Sequence, residues 1–337
     1  MKKLFAFLLA MTMLFAFAAC TAPAAEVPAV DKTSGQEEDS LSISSLARLI
    51  MVTGGDSGTY YAFGGVIANV LSSTVDNLEI TAVTSGASPA NCRSLNNGEA
   101  DLAIMQNDVL DYAVTGTETM AEDGAMPKLR AIASLYPEAV QLVALKSANI
   151  HSIADLKGKR VCVGDQGSGS ETNAKQVLEA YGLSYDDFDV QYLSFSEAST
   201  AMQNGTVDAA FATSALPNSA IQELSKMKEI VVIPIDGEGA DKLLEKHPFY
   251  AKTVIPAATY GVNEAETVAM LATLVCSEDL DEAVVYQITK HLFEEQPAMA
   301  AGHARGGDLD INKALDGVTV DFHDGALRYY REQGVID

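Results

Sequence analysis

The sequence predicts an α/β protein of two similar lobes, each a mostly parallel sheet flanked by helices, with a ligand cleft between the lobes. Short apolar strands alternate with helical patterns, as in βαβ units and parallel sheets. The chain also repeats itself, and Gly58 and Gly169 occupy equivalent places in two glycine-rich loops. The part from Ser45 onward is longer than one hydrophobic core usually serves, which favours two lobes.

The first copy of the repeat begins with a short apolar strand at residues 49–52. A loop rich in glycine and hydroxyl residues follows at 53–61 and leads into a helical pattern. We expect a second strand at 78–83 and a third at 102–105, which ends at Gln106. Strands that alternate with helices in this way predict a parallel arrangement.

The second copy repeats this order later in the chain. A strand at 160–163 precedes a Gly/Ser loop at 164–171, and a helical pattern follows. Further strands are expected at 190–193 and 209–212, and the last of them runs into Ser214. The matching order predicts two lobes that present similar loops to a shared cleft.

Both glycine-rich loops follow a strand and precede a helix, which is where ligands bind in parallel sheets. The first amides of a helix have no partners within the helix, and with the helix dipole they bind anions. Glycine lets the backbone approach a ligand closely, and hydroxyl groups can donate to a carboxylate. The predicted ligand-binding residues are Gly55, Ser57, Thr59, Tyr60, Gln106, Gly167, Ser168, Gly169, Ser170 and Ser214.

The second loop also fits a purely structural interpretation. Ser168 and Glu171 have the Ser-x-x-Glu spacing of a capping box, which ends a helix and binds nothing. Two such loops at matching places favour a binding role. Glu171 can then cap the helix while the neighbouring amides hold a ligand.

The N-terminus has the pattern of a secretory signal. Lys2 and Lys3 precede an apolar run at 4–19 that is too short to span a bilayer comfortably, and small residues lead to Cys20. This predicts a signal peptide at 1–19 and a lipid on Cys20, and the alternative is an ordinary signal cut at a nearby alanine. Residues 20–45 contain proline, glycine and acidic residues without an apolar period, so we expect a disordered tether. The lipid on Cys20 would anchor the protein to the membrane outside the cytoplasm.

Composition excludes several classes of function. A formal net charge of −24 argues against nucleic acid and other polyanions as partners. The five histidines are scattered and no Cys-x-x-Cys occurs, so we expect neither a metal nor another cofactor. Cys92, Cys162 and Cys276 are predicted to be buried free thiols rather than disulfide partners.

Local resemblances to enzyme motifs are weak. The run Gly55-Asp56-Ser57-Gly58 is similar to the serine loop of trypsin-like proteases, but no His and Asp stand in a suitable order before it. Thr172 stands where a dinucleotide fingerprint opened at Gly167 needs its third glycine. We therefore expect a binding protein and not an enzyme.

Several short stretches follow one another in a specific order between residues 48 and 337. Because of these stretches and their order, the chain resembles the TAXI solute receptors of the TRAP (tripartite, ATP-independent periplasmic) transporters. Ala62 and Gln166 depart from the pattern, since proline is expected at both. The stretches include Thr53-Gly54-Gly55, Gly98-Glu99-Ala100-Asp101, Leu135-Tyr136-Pro137-Glu138, Asp155-Leu156-Lys157-Gly158, Gly167-Ser168-Gly169-Ser170, Pro248-Phe249-Tyr250 and Ala314-Leu315-Asp316-Gly317.

The resemblance implies a periplasmic-binding-protein-like fold of type II. It implies a receptor that captures a small organic anion or an acidic amino acid, such as a glutamate-like or dicarboxylate ligand, for ion-driven TRAP membrane subunits. Neither loop holds an arginine, so a carboxylate would rest on amides and hydroxyls, and Glu138, Asp108 and Asp56 are candidate acceptors for an ammonium group. The alternative is a ligand-sensing or surface-interaction lipoprotein on the same fold.

Lobe boundaries follow from the repeat. We expect residues 46–136 and 259–337 to form lobe one and residues 137–258 to form lobe two. Crossings near Pro137 and Ala257 would act as the hinge. The C-terminal part includes a helical pattern at 281–293 that is expected to pack on lobe one.

Overall fold

The computed structural model describes residues 41–337, so the predicted signal peptide, Cys20 and most of the tether lie outside the described residues. Leu41 and Ile43, which the sequence assigned to the tether, are instead buried in the core. The Gln287 amide donates to the Leu41 carbonyl at 3.0 Å. The packed body therefore begins before residue 45, because these apolar side chains find a surface that local composition does not reveal. Within the described part, no helix has the length and apolar character needed to cross a membrane.

Ten strands and eleven α-helices are present in the described residues. The strands are β1 (Ala47–Val52), β2 (Leu78–Val83), β3 (Leu102–Gln106), β4 (Leu129–Leu145), β5 (Arg160–Cys162), β6 (Asp189–Gln191), β7 (Ala209–Ser214), β8 (Ile230–Ile233), β9 (Ala251–Ile255) and β10 (Ala265–Ser277). The helices are α1 (Thr59–Thr74), α2 (Ser88–Asn96), α3 (Asn107–Thr115), α4 (Gly169–Ala180), α5 (Phe195–Gln203), α6 (Ser219–Met227), α7 (Gly237–Lys246), α8 (Ala257–Tyr260), α9 (Glu282–Glu294), α10 (Gln296–Gly302) and α11 (Asp324–Glu332).

The strands form one mixed sheet in the order β2-β1-β3-β10-β4-β7-β5-β6, with β8 beside β4 and β9 beside β10. β2, β1 and β3 are parallel, and β3 pairs antiparallel with the end of β10. β6, β5 and β7 are likewise parallel, and β7 pairs antiparallel with the end of β4. The internal repeat thus corresponds to two equivalent halves, called here the first half (β1, β2, β3) and the second half (β5, β6, β7).

Two long strands, β4 and β10, join the halves. They pair with each other antiparallel from Leu129 to Ala139, and Pro137 lies opposite Leu271. The second connection therefore runs inside β10 and not near Ala257, since β10 pairs with β9 at one end and with β3 at the other. A long apolar run fits a buried helix as well as a strand, so sequence periodicity could not place this connection. The division into lobes remains a prediction.

Hydrophobic side chains pack against both faces of each half. One cluster combines side chains of β1 and α1, such as Met51 and Phe63, with Ile288 of α9 and Tyr330 of α11. Another combines Val161 of β5 and Val177 of α4 with side chains of α7. Burying a side chain such as Phe63 contributes roughly 1.5–3 kcal/mol. This packing fixes the strand ends from which the site is built.

Candidate functional site

A cavity lies between the two halves of the sheet, at the carboxyl ends of their parallel strands. Its volume is about 50 Å³. A water molecule needs at least about 10–15 Å³ by this measure, so the cavity holds a group of a few heavy atoms. Nine of the ten predicted ligand-binding residues line it, and the other lining residues are Gly54, Gly58, Ala87, Ser88, Glu138, Asp165, Ser194, Phe195 and Thr213.

Gly167 is the predicted site residue that does not line the cavity. Its amide donates to a carboxylate oxygen of Glu171 at 2.8 Å. Its φ of +72° is one that glycine adopts readily, so it shapes the turn before α4. A role for the other nine residues in holding a ligand remains a prediction.

The first wall of the cavity is the loop before α1. This helix begins after Gly58, which offers no side chain to cap it. The Gly58 amide donates to the Gly55 carbonyl at 2.9 Å, which folds the loop back on itself. The first amides of α1 have no acceptor within the helix. They lie at the lining residues Thr59 and Tyr60, beside the cavity.

Sequence reasoning missed a second uncapped helix start in the first half. α2 begins after Ala87, which has φ 64° and ψ −153° and makes no side-chain cap. Such a conformation costs a non-glycine residue of the order of 1–3 kcal/mol and is found mostly at functional sites. The signal was present in the sequence, because Ser85-Gly86 follows a strand and precedes a helix as the two predicted loops do.

The opposite wall is the loop before α4, and here the capping alternative is partly right. The Ser168 hydroxyl accepts from the Glu171 amide at 3.2 Å and caps the helix. The Ser170 hydroxyl accepts from the Thr213 amide at 3.1 Å and ties α4 to β7. Both hydroxyls therefore stabilise the fold by accepting hydrogen bonds from backbone amides. The amides of Gly169 and Ser170, in the first turn, have no acceptor within the helix and can meet an anion.

Gln106 brings the two halves into contact. Its side-chain amide nitrogen donates to the Asn173 side-chain oxygen at 2.9 Å across the cleft. A Cβ at Gly169 would lie 2.0 Å from the Gln106 Oε1 atom, so this approach requires glycine. The Ser219 hydroxyl also donates to the Ser57 carbonyl at 3.0 Å. The structure is thus a closed arrangement around a small cavity.

The three candidate acceptors for an ammonium group occupy different places. Glu138 lines the cavity and is 2% exposed, and its carboxylate accepts from the Tyr60 hydroxyl at 2.6 Å. Burial raises the pKa of Glu138 to about 8, although the hydrogen bond from Tyr60 acts in the opposite direction. Asp108 is buried behind Asn173 and does not line the cavity, and Asp56 is exposed.

Asp108 nevertheless belongs to the contact between the halves. It accepts from the Val109 amide at 2.7 Å and from the Asn173 side chain at 3.2 Å. Burial raises the pKa of Asp108 to about 7, and these hydrogen bonds oppose the rise. A buried carboxyl without a cation beside it favours its neutral form.

The three cysteines within residues 41–337, Cys92, Cys162 and Cys276, are buried free thiols, as the sequence predicted. Burial raises the pKa of each thiol, which makes it a poor nucleophile. Among residues 41–337, no group of His, Cys, Asp and Glu is arranged to hold a metal ion.

Comparisons with known proteins agree with this fold. The sequence profile of the NMT1-like family matches residues 51–334. An Escherichia coli (strain K12) protein, to which an aliphatic-sulfonates-binding role is ascribed, is 28% identical over 131 residues, which is 39% of this chain. The chain spans 39% of the length of that curated relative.

Solved structures give the fold alone, since their identities are low. The binding protein component of an ABC phosphonate transporter from Pseudomonas aeruginosa has a TM-score of 0.52 at 13% identity, with 77% of this chain and 79% of that chain covered. A Listeria monocytogenes protein ascribed to L-cystine ABC transport has a TM-score of 0.50 at 14% identity, with 78% and 98% covered. The predicted α/β periplasmic-binding-protein-like fold, with helices flanking the sheet, is confirmed.

Proposed function

Because the chain belongs to the NMT1-like family, we propose that it is an extracytoplasmic solute-binding protein that captures a small organic ion for a membrane transporter. The cavity between the two halves supports this proposal most directly. It lies at the carboxyl ends of two sets of parallel strands, and the uncapped start of α1 and the first turn of α4 open toward it. An anionic group of the solute would rest on the amides of Gly169 and Ser170.

The proposal is for binding and not for catalysis. The hydroxyls of Ser168 and Ser170 bond to backbone groups. No histidine, lysine or arginine stands among the described residues that line the cavity. A serine without an adjacent base is a weak nucleophile.

The solute itself is best identified from the protein. Mass spectrometry of molecules released by denaturing the purified protein should detect one enriched small organic ion, either a small organic anion or an acidic amino acid. Calorimetric titration of that compound into stripped protein should then give a saturable isotherm with one site. A protein that releases nothing, and that gives no heat with a panel of such ions, would contradict solute binding.

The coupling to transport has two candidates. The sequence motifs favour an ion-driven TRAP transporter, whereas the two named solved structures are ascribed to ABC transporters. Uptake of the identified solute by cells, measured with and without a sodium gradient and after ATP depletion, separates the two. A receptor that supports no uptake under either condition would instead fit the sensing or surface-interaction alternative.

Anchoring through Cys20 belongs to the same proposal. Cys20→Ala should release the protein from the membrane fraction, whereas Thr21→Ala should remain anchored. Cell fractionation followed by blotting measures both variants. Equal membrane association of the two variants would contradict a lipid on Cys20.

A further inference from the structure

Two hydrogen-bond acceptors that line the cavity have no cation beside them in the described part of the chain. Glu138 is one, and the Oε1 atom of Gln106 is the other, since it is buried without a hydrogen-bond partner. Among the described lining residues the other charged group is Asp165, at the exposed rim. The described lining residues therefore offer acceptors and carboxyl groups but no cationic side chain.

Glu138 lies in β4 directly after Pro137, where the strand passes from one half to the other. One carboxylate oxygen accepts from Tyr60 of α1, which lines the cavity as well. The titratable groups that face Glu138 are Tyr60, Tyr136 on its own strand and Asp108 on α3. None of them carries positive charge. Arg305 acts on Tyr136 but is not among the groups that act on Glu138, so no cation of residues 41–337 lies directly beside an ionised Glu138.

The orientation of the Gln106 amide follows from its network. Its nitrogen donates to Asn173 Oδ1, and the Asn173 nitrogen donates to Asp108 and to the Tyr250 hydroxyl. Gln106 Oε1 is thereby left without a donor at a position only 2% exposed. Buried acceptors in native proteins almost always meet a donor, so an unmet one beside a cavity points to a donor on the ligand.

We propose that the ligand carries a protonated amine, which Glu138 and the Oε1 atom of Gln106 accept, while its anionic group rests on the amides of Gly169 and Ser170. This deepens the proposed function and rests on it. An ammonium group offers three hydrogen-bond donors and one positive charge. The donors suit the two acceptors, and the charge suits the carboxylate of Glu138. The ligand is then a small molecule with both an ammonium and an anionic group, and carboxylates, dicarboxylates and sulfonates that lack an amine are excluded.

The proposal predicts a proton balance. Burial keeps the pKa of the empty-site Glu138 at about 8, so the carboxyl is mostly protonated at pH 7. An ammonium ligand stabilises the ionised form, and the carboxyl proton therefore leaves to solvent on binding. Affinity should rise as pH increases from about 6 to 8. A ligand that only donates a hydroxyl hydrogen bond leaves the carboxyl neutral and releases no proton.

Matched pairs of compounds test the proposal on stripped protein. L-Glutamate with glutarate, L-alanine with propionate, and L-serine with 3-hydroxypropionate differ only by the amino group. Calorimetric titration should give at least tenfold tighter binding for the amino member of any pair that binds. Equal or tighter binding of the compound without the amine overturns the proposal and leaves solute binding intact. The absence of binding across all pairs, together with no molecule released on denaturation, counts against solute binding itself and hence against both.

The variant Glu138→Gln separates charge recognition from folding. Glutamine keeps an acceptor for Tyr60, and the variant should weaken binding of the amino compound about tenfold to a hundredfold while abolishing proton release. Proton release is measured by titration in buffers of different ionisation enthalpy. Glu99→Gln removes one charge at an exposed turn and is the matched control. Unchanged affinity and proton release in Glu138→Gln, beside an unchanged Glu99→Gln, would overturn the assignment.

Discussion

Gly169 lies where the two halves of the sheet meet, and its lack of a side chain leaves room for Gln106. A Cβ there would also lie 2.6 Å from the Gln106 Cδ atom. That obstacle belongs to the opposite half, and a residue other than glycine is favourable in the first turn of α4 itself. A substitution at this position should therefore hinder closure of the cleft without destabilising the fold.

Gly169→Val should weaken binding of the solute at least tenfold and leave the melting temperature of the ligand-free protein within about 2 °C of wild type. The reason is that the added side chain displaces Gln106 and breaks its bond to Asn173. Calorimetry and thermal melting measure the two effects. Gly65→Ala, within α1 and with open space around the added methyl, is the control. Wild-type affinity in Gly169→Val would mean that the halves do not close as described.

Ser168 and Ser170 have hydroxyl groups with different partners, so their removal should differ. Ser170→Ala leaves the buried Thr213 amide without its acceptor and should lower the free energy of unfolding by about 1–3 kcal/mol. Ser168→Ala removes a helix cap and should cost about 1 kcal/mol. Denaturant melts of both variants measure these losses. A larger loss in Ser168→Ala than in Ser170→Ala would contradict the roles assigned here.

At the scale of elements, α3 and α4 face each other across the cleft through a buried polar contact. Asp108 is in the first turn of α3, and Asn173 is in α4. The pKa of Asp108 is about 7 in the folded protein and about 3.9 in an unfolded chain. Between these values the folded state holds a proton that the unfolded state has released.

The free energy of unfolding should therefore fall as pH rises from about 4 to 7, since the folded state binds more protons in that window. One such group lowers the free energy of unfolding by about 1.4 kcal/mol for each pH unit in this window. Asp108→Asn should reduce this slope, whereas Asp186→Asn, at an exposed position, should not. Denaturant melts at several pH values give the slopes. An identical pH dependence in Asp108→Asn and wild type would show that Asp108 does not hold the proton.

The elements that the sequence predicted well are those with a local cause. The Gly/Ser loops were correctly predicted to precede helices, because glycine, hydroxyl residues and a following helix lie within a few residues of one another. Their ends were wrong, since α1 and α4 begin at Thr59 and Gly169, inside the predicted loops. β10 was missed because its continuous apolar run has no period that distinguishes strand from helix. The contact between Glu138 and Tyr60 could not be predicted from the sequence either, because the two residues are far apart in the chain and meet only when β4 is in place in the sheet.

At the scale of the whole molecule, the two halves are joined by a pair of antiparallel strands and touch through side chains across the cavity. Hydrogen bonds such as Ser219 to Ser57 must break when the cleft opens. Pro137 has no amide hydrogen to bond across the strand pair at the crossing. These features favour a hinge at this place.

Removal of the solute should therefore expand the molecule. Small-angle X-ray scattering of protein stripped by unfolding and refolding should give a larger radius of gyration than the solute-loaded protein. Gly169→Val should keep the expanded value even when solute is added. Superimposable curves for stripped and loaded wild-type protein would contradict hinge closure.

The path of the chain through the first half also affects how the protein is made. Met51 and Tyr330 belong to one hydrophobic cluster, although nearly the whole described chain separates them. The clusters around Val161 and Met202 draw on a contiguous stretch that runs from Val140 to Met270. A ribosome delivers residues in order, so the second half has its core partners first, while the first half lacks α11 until later. Helix α11 therefore completes the core to which β1 belongs, and a chain whose synthesis is interrupted before Tyr330 has no finished cleft.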